Sequence, residues 1–332
     1  METLLTALRA CAEPTRLRVL ALAARGQFCV MDLCDILGQS QPRLSRHLKL
    51  LDEAHVLTRL REGANVWLAL PEPASPMGGL VRSLLERLPE DDPLLAADRR
   101  HAARVLAERA RAATESFRRT GAEWDEMRAL GLPAELVEAA LRDALPGQTA
   151  RLLDIGTGTG RLLEVLGPHV QSALGVDASR AMLSLARARL GAAQPALAHC
   201  AVRLADMYRL PLADGTMDAA VLQMVLHHAE DPAAALAEAA RTLRPGGTLL
   251  VADLAAHGDE AAMRRLAHRW PGFSEPMMQA LLTGAGLRPH ESISIAGPLE
   301  IRIWPASLPA VQAAAPAAPA AATVSPATLE AV

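Results

Sequence analysis

The stretch RLLDIGTGTGR, residues 151–161, is the strongest indication of the fold of the larger part of the chain. Its first five residues are mostly apolar, as in a buried strand, and the glycines at 156, 158 and 160 predict a tight turn into a helix. Such a turn lets a ligand approach the backbone closely. The dinucleotide spacing G-x-G-x-x-G is broken because Arg161 stands where its third glycine would be. The turn therefore predicts a nucleotide-type site that does not require a pyrophosphate.

The alternation that begins at this stretch continues to residue 304. Apolar strand-like runs alternate with helical runs, which is typical of a parallel sheet covered by helices. The second strand ends in Asp177, where a carboxylate can accept hydrogen bonds from a ribose diol. We expect seven strands, at residues 151–155, 173–177, 202–204, 218–224, 244–253, 286–288 and 299–304. This pattern predicts a Rossmann-like α/β domain over residues 147–304.

Residues 1–75 have a different pattern, of short helices followed by a hairpin. Helical runs cover residues 2–11, 14–25, 30–37 and 41–53, and two strand-like runs follow at 57–60 and 65–70. In the fourth helix Leu44, Leu48 and Leu51 recur at helical spacing and form a stripe that we expect to be buried. The order of these elements predicts a winged helix-turn-helix domain. A helical hairpin with an ordinary solvated face is the alternative.

A winged helix of this kind would present polar and basic side chains to double-stranded DNA. From residue 38 to residue 62 there are five Arg or Lys against three acidic residues, although the whole chain has a net charge of −3. Side chains at the start of the fourth helix would reach base edges, and those on the hairpin would follow the phosphates. The candidate DNA-binding residues are Ser40, Gln41, Arg43, Ser45, Arg46, His47, Lys49, Arg59 and Arg61.

Composition limits the remaining possibilities. Only 2% of the 332 residues are aromatic, so recognition of single-stranded nucleic acid by base stacking is not expected. Residues 76–146 are rich in Arg, Glu and Ala and predict a helical connector, whereas residues 305–332 are rich in Pro and Ala and predict a disordered tail. With no apolar run long enough to span a membrane and no signal-peptide pattern, a cytoplasmic protein is expected.

The N-terminal motifs resemble the ArsR/SmtB family of winged-helix repressors. The matching segments are EPTRLRVL at 13–20, CVMDLC at 29–34, SQPRLSRHLKLL at 40–51 and REGANVWLAL at 61–70. The resemblance implies a homodimer on a palindromic operator that an effector releases. One metal-sensing class of that family has a Cys-Val-Cys box, but Met31 replaces its second cysteine here, and Cys34 is about 140° from Cys29 around a helix. We therefore predict buried structural thiols and no metal site.

The strand, glycine turn and Asp177 resemble the class I S-adenosylmethionine-dependent methyltransferases over about 150 residues. The resemblance implies S-adenosylmethionine or S-adenosylhomocysteine as the cofactor, with Asp177 on the ribose and Asp206 and Met207 beside the adenine. His227 and His228 would face the methyl acceptor, either as a general base or as part of a loop wall. The candidate cofactor-binding residues are Asp154, Gly156, Gly158, Gly160, Asp177, Asp206, Met207 and Gln223.

Three functions fit these two resemblances. The first is a DNA-binding transcriptional regulator, most simply a repressor, that binds the cofactor or its product and so senses the methionine cycle. The second is an active methyltransferase of a small molecule or protein that carries a DNA-binding module. The third, a metal-responsive repressor, is disfavoured by the incomplete thiol box. Arsenite methylation is disfavoured because residues 147–304 contain only Cys200, and DNA methylation because its active-site motifs are absent. We expect the first.

Overall fold

A computed structural model describes residues 1–62, 65–72, 75–120, 131–193, 196–258 and 268–310. The chain begins with four helices, α1 (Glu2–Cys11), α2 (Pro14–Ala23), α3 (Val30–Leu37) and α4 (Gln41–Glu53). An antiparallel hairpin follows, made of β1 (Thr58–Glu62) and β2 (Asn65–Ala69), in which Leu60 faces Trp67. This is the predicted winged helix-turn-helix, with the hairpin as the wing.

The turn between α3 and α4 follows from local sequence chemistry. Gly38 ends α3 in the left-handed conformation, with φ of 61°, which glycine adopts without a side-chain clash. Ser40 then occupies the N-cap of α4 with extended backbone, although its side chain makes no capping hydrogen bond. The predicted stripe is confirmed, because Leu44, Leu48 and Leu51 are completely buried in the core of the winged helix.

The connector consists of α5 (Pro76–Leu85), α6 (Pro93–Thr120) and α7 (Ala134–Ala144). Helix α6 packs on the winged helix, where Ala102 joins its core and Asp98 accepts two hydrogen bonds of 2.6 Å from Arg18. The same helix also packs on the C-terminal domain, because Leu106 lies against Gly191. The connector is therefore part of the interface between the two halves.

The C-terminal domain is built on one mixed sheet. Its strands are β3 (Arg151–Ile155), β4 (Ser172–Asp177), β5 (Cys200–Leu204), β6 (Met217–Gln223), β7 (Leu243–Leu254), β8 (Arg288–Pro289), β9 (Ile293–Ile295) and β10 (Ile301–Ser307). The spatial order is β5-β4-β3-β6-β7-β10-β8, and β9 also pairs with β10. The first five strands are parallel, and β10 runs antiparallel to β7. This is the expected Rossmann-like architecture.

Two details differ from the sequence-based expectation. The sheet has eight strands rather than seven, because the short β8 and β9 both pair with β10. The last strand continues to Ser307, beyond the boundary predicted at residue 304, because the backbone of residues 305–307 pairs with β7. Residues 311–332, the rest of the predicted tail, lie outside the described residues.

Helices cover both faces of this sheet. They are α8 (Arg161–Leu166), α9 (Arg180–Ala192), α10 (Pro232–Thr242) and α11 (Glu275–Gly284), together with α7. The two core layers contain mainly Leu, Val, Ala and Ile, as the low aromatic content requires. Within the described residues, no helix combines the length and apolar character needed to cross a bilayer.

Candidate functional site

A cavity of about 790 Å³ opens at the carboxyl ends of the parallel strands. This is the edge at which open α/β sheets bind ligands. Seven of the eight predicted cofactor-binding residues line the cavity: Asp154, Gly156, Gly158, Asp177, Asp206, Met207 and Gln223. The eighth, Gly160, lies behind the wall, where it packs on α9.

Two glycines of the turn are required by close packing. Gly156 has a φ of 74°, and a Cβ at this position would lie 2.3 Å from a methyl group of Val225. Gly160 has a φ of 75°, and a Cβ there would lie 3.0 Å from the Cβ of Ala186 on α9. The glycine turn is therefore held between the loop after β6 and helix α9, and a shift of the turn would be transmitted to both.

Asp177 lies at the end of β4 and is fixed by backbone hydrogen bonds. Its Oδ2 accepts from the N–H of Gly158 at 2.9 Å, and its Oδ1 accepts from the N–H of Ser179 at 2.7 Å. Burial raises the pKa of this carboxyl, while the two N–H groups oppose that shift. Each carboxylate oxygen has further acceptor capacity, so the group can receive the two hydroxyls of a ribose.

Asp154 is a buried acid directly beneath the glycine turn. It is 2% exposed, and its Oδ2 accepts a hydrogen bond of 2.6 Å from the hydroxyl of Thr157. Burial raises its pKa to about 7, and the charge of Asp177 adds to the shift. The side chain therefore joins the strand to the turn and is suited to orienting the loop.

Asp206 and Met207 follow β5 on the far side of Asp177. Asp206 is exposed, and its Oδ1 accepts from the N–H of Tyr208 at 3.0 Å, which holds the carboxylate at the mouth of the cavity. Met207 is half-buried and packs at the edge of the core beneath the cavity. An exposed acceptor beside an apolar side chain suits the amino group and ring of an adenine.

The connector contributes part of the cavity wall, and this was not predicted from the sequence. Glu138 of α7 lines the cavity and accepts two hydrogen bonds, of 2.8 and 2.7 Å, from the guanidinium of Arg161. Arg161 is the residue that follows the glycine turn, so this pair attaches the connector to the start of α8. No sequence signal identified Glu138, because it is one of many acidic residues in a helical run.

The backbone conformation of Met224 is another feature that was not predicted. It follows Gln223 in the cavity wall and has left-handed backbone, with φ of 54°, which is uncommon for a residue with a side chain. Its N–H donates to the carbonyl of Ala252 at 2.8 Å, and this bond helps to hold the conformation. Strained backbone of this kind is concentrated at ligand sites.

The two histidines after β6 do not occupy equivalent positions. His228 lines the cavity, as expected, but His227 is completely buried and does not. The expectation that both face the acceptor is corrected for His227, because its Nδ1 lies 2.6 Å from Asp253 Oδ1 on β7. Asp253 Oδ2 also accepts from the backbone N–H groups of Leu226 and His227, which turns the ring inward. Asp253 was not identified from the sequence.

The predicted DNA-binding residues lie on the outer surface of α4 and of the wing. Those exposed are Ser40, Gln41, Arg43, Arg46, Lys49, Arg59 and Arg61, and Ser45 is half-buried. Lys49 lies 3.6 Å from Glu53 one turn later. His47 is turned toward α2, where its Nδ1 is 3.5 Å from Glu13 Oε2. The basic side chains of helix and wing therefore remain accessible, while His47 is largely covered.

The other side of the wing is buried against the C-terminal domain. Glu62 of β1 forms a buried ion pair with Arg187 of α9, whose Nη2 donates to both carboxylate oxygens at 2.9 and 2.8 Å. The guanidinium of Arg187 also lies 3.6 Å from the ring centre of Trp67 on β2. Burial lowers the pKa of Arg187, and the charge of Glu62 opposes that shift. This contact was not predicted from the sequence.

The same interface covers the edge strand β5. The N–H of Leu204 donates to Glu62 Oε1 at 2.9 Å, and the N–H of Val202 donates to Gln27 Oε1 at 3.2 Å. Backbone groups at the edge of a sheet need partners when they are buried. Side chains of the winged helix therefore complete the hydrogen bonding of the sheet.

The cysteines have the environment of structural thiols. Cys11, Cys29 and Cys200 are buried and Cys34 is half-buried. Burial raises the pKa of all four thiols, which keeps them protonated near neutral pH. This agrees with the interpretation of Cys29 and Cys34 as packing residues.

Two family models match the chain, one in each half. The model described as bacterial regulatory protein, arsR family, matches residues 13–58. The model described as methyltransferase domain matches residues 153–251. The first match contains the helix-turn-helix, and the second contains the glycine turn, Asp177 and the two histidines.

Individual relatives match only part of the chain. An uncharacterized 37.1 kDa protein in a transposon of Streptomyces fradiae is 43% identical over 114 residues, which are 33% of this chain and 31% of that protein. The O-methyltransferase cnsE of Penicillium expansum is 32% identical over 149 residues, 43% of this chain and 54% of its own. The chain thus spans between about a third and just over half the length of these relatives. Among solved structures, YcgJ of Bacillus subtilis is 19% identical, with a TM-score of 0.45, over 52% of this chain and 97% of its own.

Proposed function

We propose that this chain, which joins an ArsR-type helix-turn-helix to a methyltransferase domain, is a transcriptional regulator whose affinity for DNA depends on a bound ligand. The ligand is S-adenosylmethionine or S-adenosylhomocysteine, held in the 790 Å³ cavity. The affinity of the protein for its operator would then depend on the state of the methionine cycle. Such a regulator acts in the cytoplasm, where bacterial DNA lies.

The observation that carries this proposal is the buried ion pair between Glu62 and Arg187. Glu62 belongs to the wing, and Arg187 belongs to the helix that follows the proposed ribose ligand Asp177. Because Gly160 packs on Ala186, the residue before Arg187, a path of direct contacts leads from the glycine turn to the wing. A methyltransferase that was merely tethered to a DNA-binding module would not need such an interface.

Buried contacts of this kind favour coupling because they allow few arrangements. An ion pair that is nearly inaccessible to water tolerates little displacement, so a shift of α9 would move the wing or break the pair. The exposed Arg59 and Arg61 on the wing would then change position relative to α4. The ligand would therefore change operator affinity by changing the position of the wing relative to α4.

The energy that this mechanism requires is modest. A 100-fold change in operator affinity needs about 2.7 kcal/mol of difference in ligand affinity between the two conformations. S-adenosylmethionine carries one methyl group and one positive charge more than S-adenosylhomocysteine. The carboxylates of Asp177 and Asp206 line the cavity, so the two ligands would differ in their electrostatic interaction with the cavity and could favour the two conformations to different extents.

We further propose that the regulator is a homodimer on a palindromic site. Helix α1 exposes Leu4, Leu5 and Leu8, an apolar face that a second copy would cover. A dimer would place two α4 helices in successive major grooves, with half-sites about 34 Å apart. Sedimentation of the DNA-free protein at the mass of one chain would contradict the dimer.

The test measures operator affinity while each ligand is added separately. Operator DNA selected from a random pool is titrated with full-length protein, in the absence of ligand and with saturating S-adenosylmethionine or S-adenosylhomocysteine. We expect at least one ligand to change the affinity by tenfold or more. A change below twofold with both ligands, when calorimetry shows that both bind, would overturn the regulatory proposal.

An active methyltransferase is the second candidate, and the position of His228 favours it. This histidine lines the cavity next to Val225, where it could take a proton from an acceptor. The match to an O-methyltransferase agrees with such chemistry. A methyl-labelled cofactor in the same titration distinguishes the candidates, because label transferred to a small molecule or protein would demonstrate turnover. Substitution of His228 by Ala would then reduce that transfer.

A further inference from the structure

Three histidines come together beside the part of the cavity that is lined by Val225 and His228. They are His227 and His228, on the turn after β6, and His268, which is 40 residues further along the chain. One ligand nitrogen from each ring can be chosen so that all three lie within 4.8 Å of one another. Within the described part of the chain, this is the one group of three or more His, Cys, Asp or Glu residues with such a geometry.

The backbone holds this arrangement in place. The carbonyl of His227 accepts hydrogen bonds from the N–H groups of Arg269 and Trp270, at 3.0 and 3.1 Å. The indole of Trp270 donates to the carbonyl of Ala229 at 2.9 Å. These three bonds attach the segment after His268 to the turn that carries the other two histidines, so the backbone positions of all three are held together.

Asp253 gives His227 the hydrogen bond that metal-binding histidines usually have. The carboxylate accepts from Nδ1 at 2.6 Å, so a neutral ring carries its lone pair on Nε2. Metal-ligating histidines commonly donate their second nitrogen to a carboxylate in this way, which fixes the tautomer and the ring orientation. Asp253 is completely buried and also accepts backbone N–H groups, so its position is rigid.

We propose that His227, His228 and His268 form a binding site for a divalent transition-metal ion of the zinc class. Imidazole nitrogens suit zinc, and zinc–nitrogen bonds of about 2.0–2.1 Å place tetrahedral ligands roughly 3.4 Å apart. The three nitrogens lie within 4.8 Å of one another, so they would have to move closer together to reach that distance when an ion binds. Three protein ligands leave the fourth position for water or a substrate atom.

The proposed metal site would lie next to the cavity. His228 lines the cavity together with Val225, and His227 and His268 are buried directly behind it. An ion held there would have its open position toward the cavity, where it would lower the pKa of a bound water, hydroxyl or thiol. The cysteine spacing led to the prediction that no metal site is present. The histidine site could not be predicted because its third member is remote in sequence.

Cobalt and zinc binding to the full-length chain test the proposal. Protein freed of metal with a chelator is titrated with Co²⁺, followed by visible absorption, and zinc affinity is measured by competition with a chromophoric chelator. We expect one ion per chain, with ligand-field bands and no thiolate charge-transfer band. Absence of stoichiometric binding, or the appearance of a thiolate band, would overturn the proposal.

Variants identify the ligands. His268→Ala should weaken zinc binding more than 100-fold, and Asp253→Asn about 10- to 100-fold because it alters only the supporting hydrogen bond. His169→Ala removes an exposed histidine outside the cluster and should change nothing. Binding of S-adenosylhomocysteine and the circular dichroism spectrum show whether each variant is folded. Wild-type zinc affinity in a folded His268→Ala variant would contradict the site.

Discussion

Asp177 is the residue on which the proposed cofactor site most depends. It lies at the end of β4, accepts from Gly158 and Ser179, and faces the cavity. Asp177→Ala should weaken binding of S-adenosylhomocysteine by at least about 100-fold, because two hydrogen bonds to a charged acceptor are lost. Asp143→Ala removes an exposed carboxylate at the end of α7 and is the matched control. Calorimetry that gives equal affinities for both variants would refute the site.

Asp154 predicts a pH dependence of stability in the ligand-free protein. Its pKa is raised by burial to about 7 in the folded chain, from an ordinary value of 3.8. Between these values the folded state holds a proton that the unfolded chain has released, so this group favours folding at low pH and loses that effect as the pH rises toward 7. Well above pH 7 the carboxyl is ionised in both the folded and the unfolded chain, so its effect on stability no longer changes with pH.

The Asp154→Asn variant isolates this effect. Asn keeps an oxygen that can accept from the Thr157 hydroxyl but does not ionise. The melting temperature of the variant relative to the wild type should therefore rise between pH 5 and pH 8. A difference that does not change with pH, measured by thermal unfolding without ligand, would show that Asp154 titrates normally.

Helix α4 is the element that we propose to recognise the base sequence of the operator. Arg43 and Arg46 are exposed on it, and the leucine stripe fixes the opposite face in the core. Each substitution to Ala should weaken operator binding by about 10- to 100-fold, or roughly 1–3 kcal/mol. Arg104→Ala on α6 is the control, because it removes an exposed guanidinium away from the predicted surface. Gel-shift affinities for Arg43→Ala and Arg46→Ala that match this control would show that another surface binds DNA.

The elements that were predictable from sequence are those with local signals. Gly38 and Pro42 bracket the turn between α3 and α4, and the glycines at 156, 158 and 160 mark the turn after β3. The residues around the cavity follow from the same signals, because carboxyl ends of parallel strands meet at one edge.

Pairings between distant residues could not be predicted in the same way. Glu62 and Arg187 are 125 residues apart, and nothing near either of them indicates burial or a partner. The inward turn of His227 depends on Asp253 on the neighbouring strand. A single sequence shows periodicity and turn-forming residues, but it does not show which helix packs on which hairpin. The interface between the two halves depends on that packing.

At the scale of the whole molecule, the interface between the wing and α9 should transmit the ligand signal. Glu62→Gln replaces the buried carboxylate that faces Arg187 and leaves a buried guanidinium without its ion partner. We expect lower thermal stability and a loss of most of the ligand effect on operator affinity, since breaking a buried pair costs about 3–5 kcal/mol. Glu72→Gln, which removes the exposed pair with Arg151, is the control. A folded Glu62→Gln variant with the full ligand effect would show that coupling runs elsewhere.

If one chain couples ligand binding to operator binding, each binding event must change the affinity for the other. If a ligand changes operator affinity by some factor, operator DNA must change the affinity for that ligand by the same factor. The measurement is the dissociation constant of S-adenosylhomocysteine for full-length protein, with and without saturating operator DNA. We predict a change of at least tenfold, equal to the change in operator affinity caused by the same ligand. An identical dissociation constant with and without the operator would contradict the account.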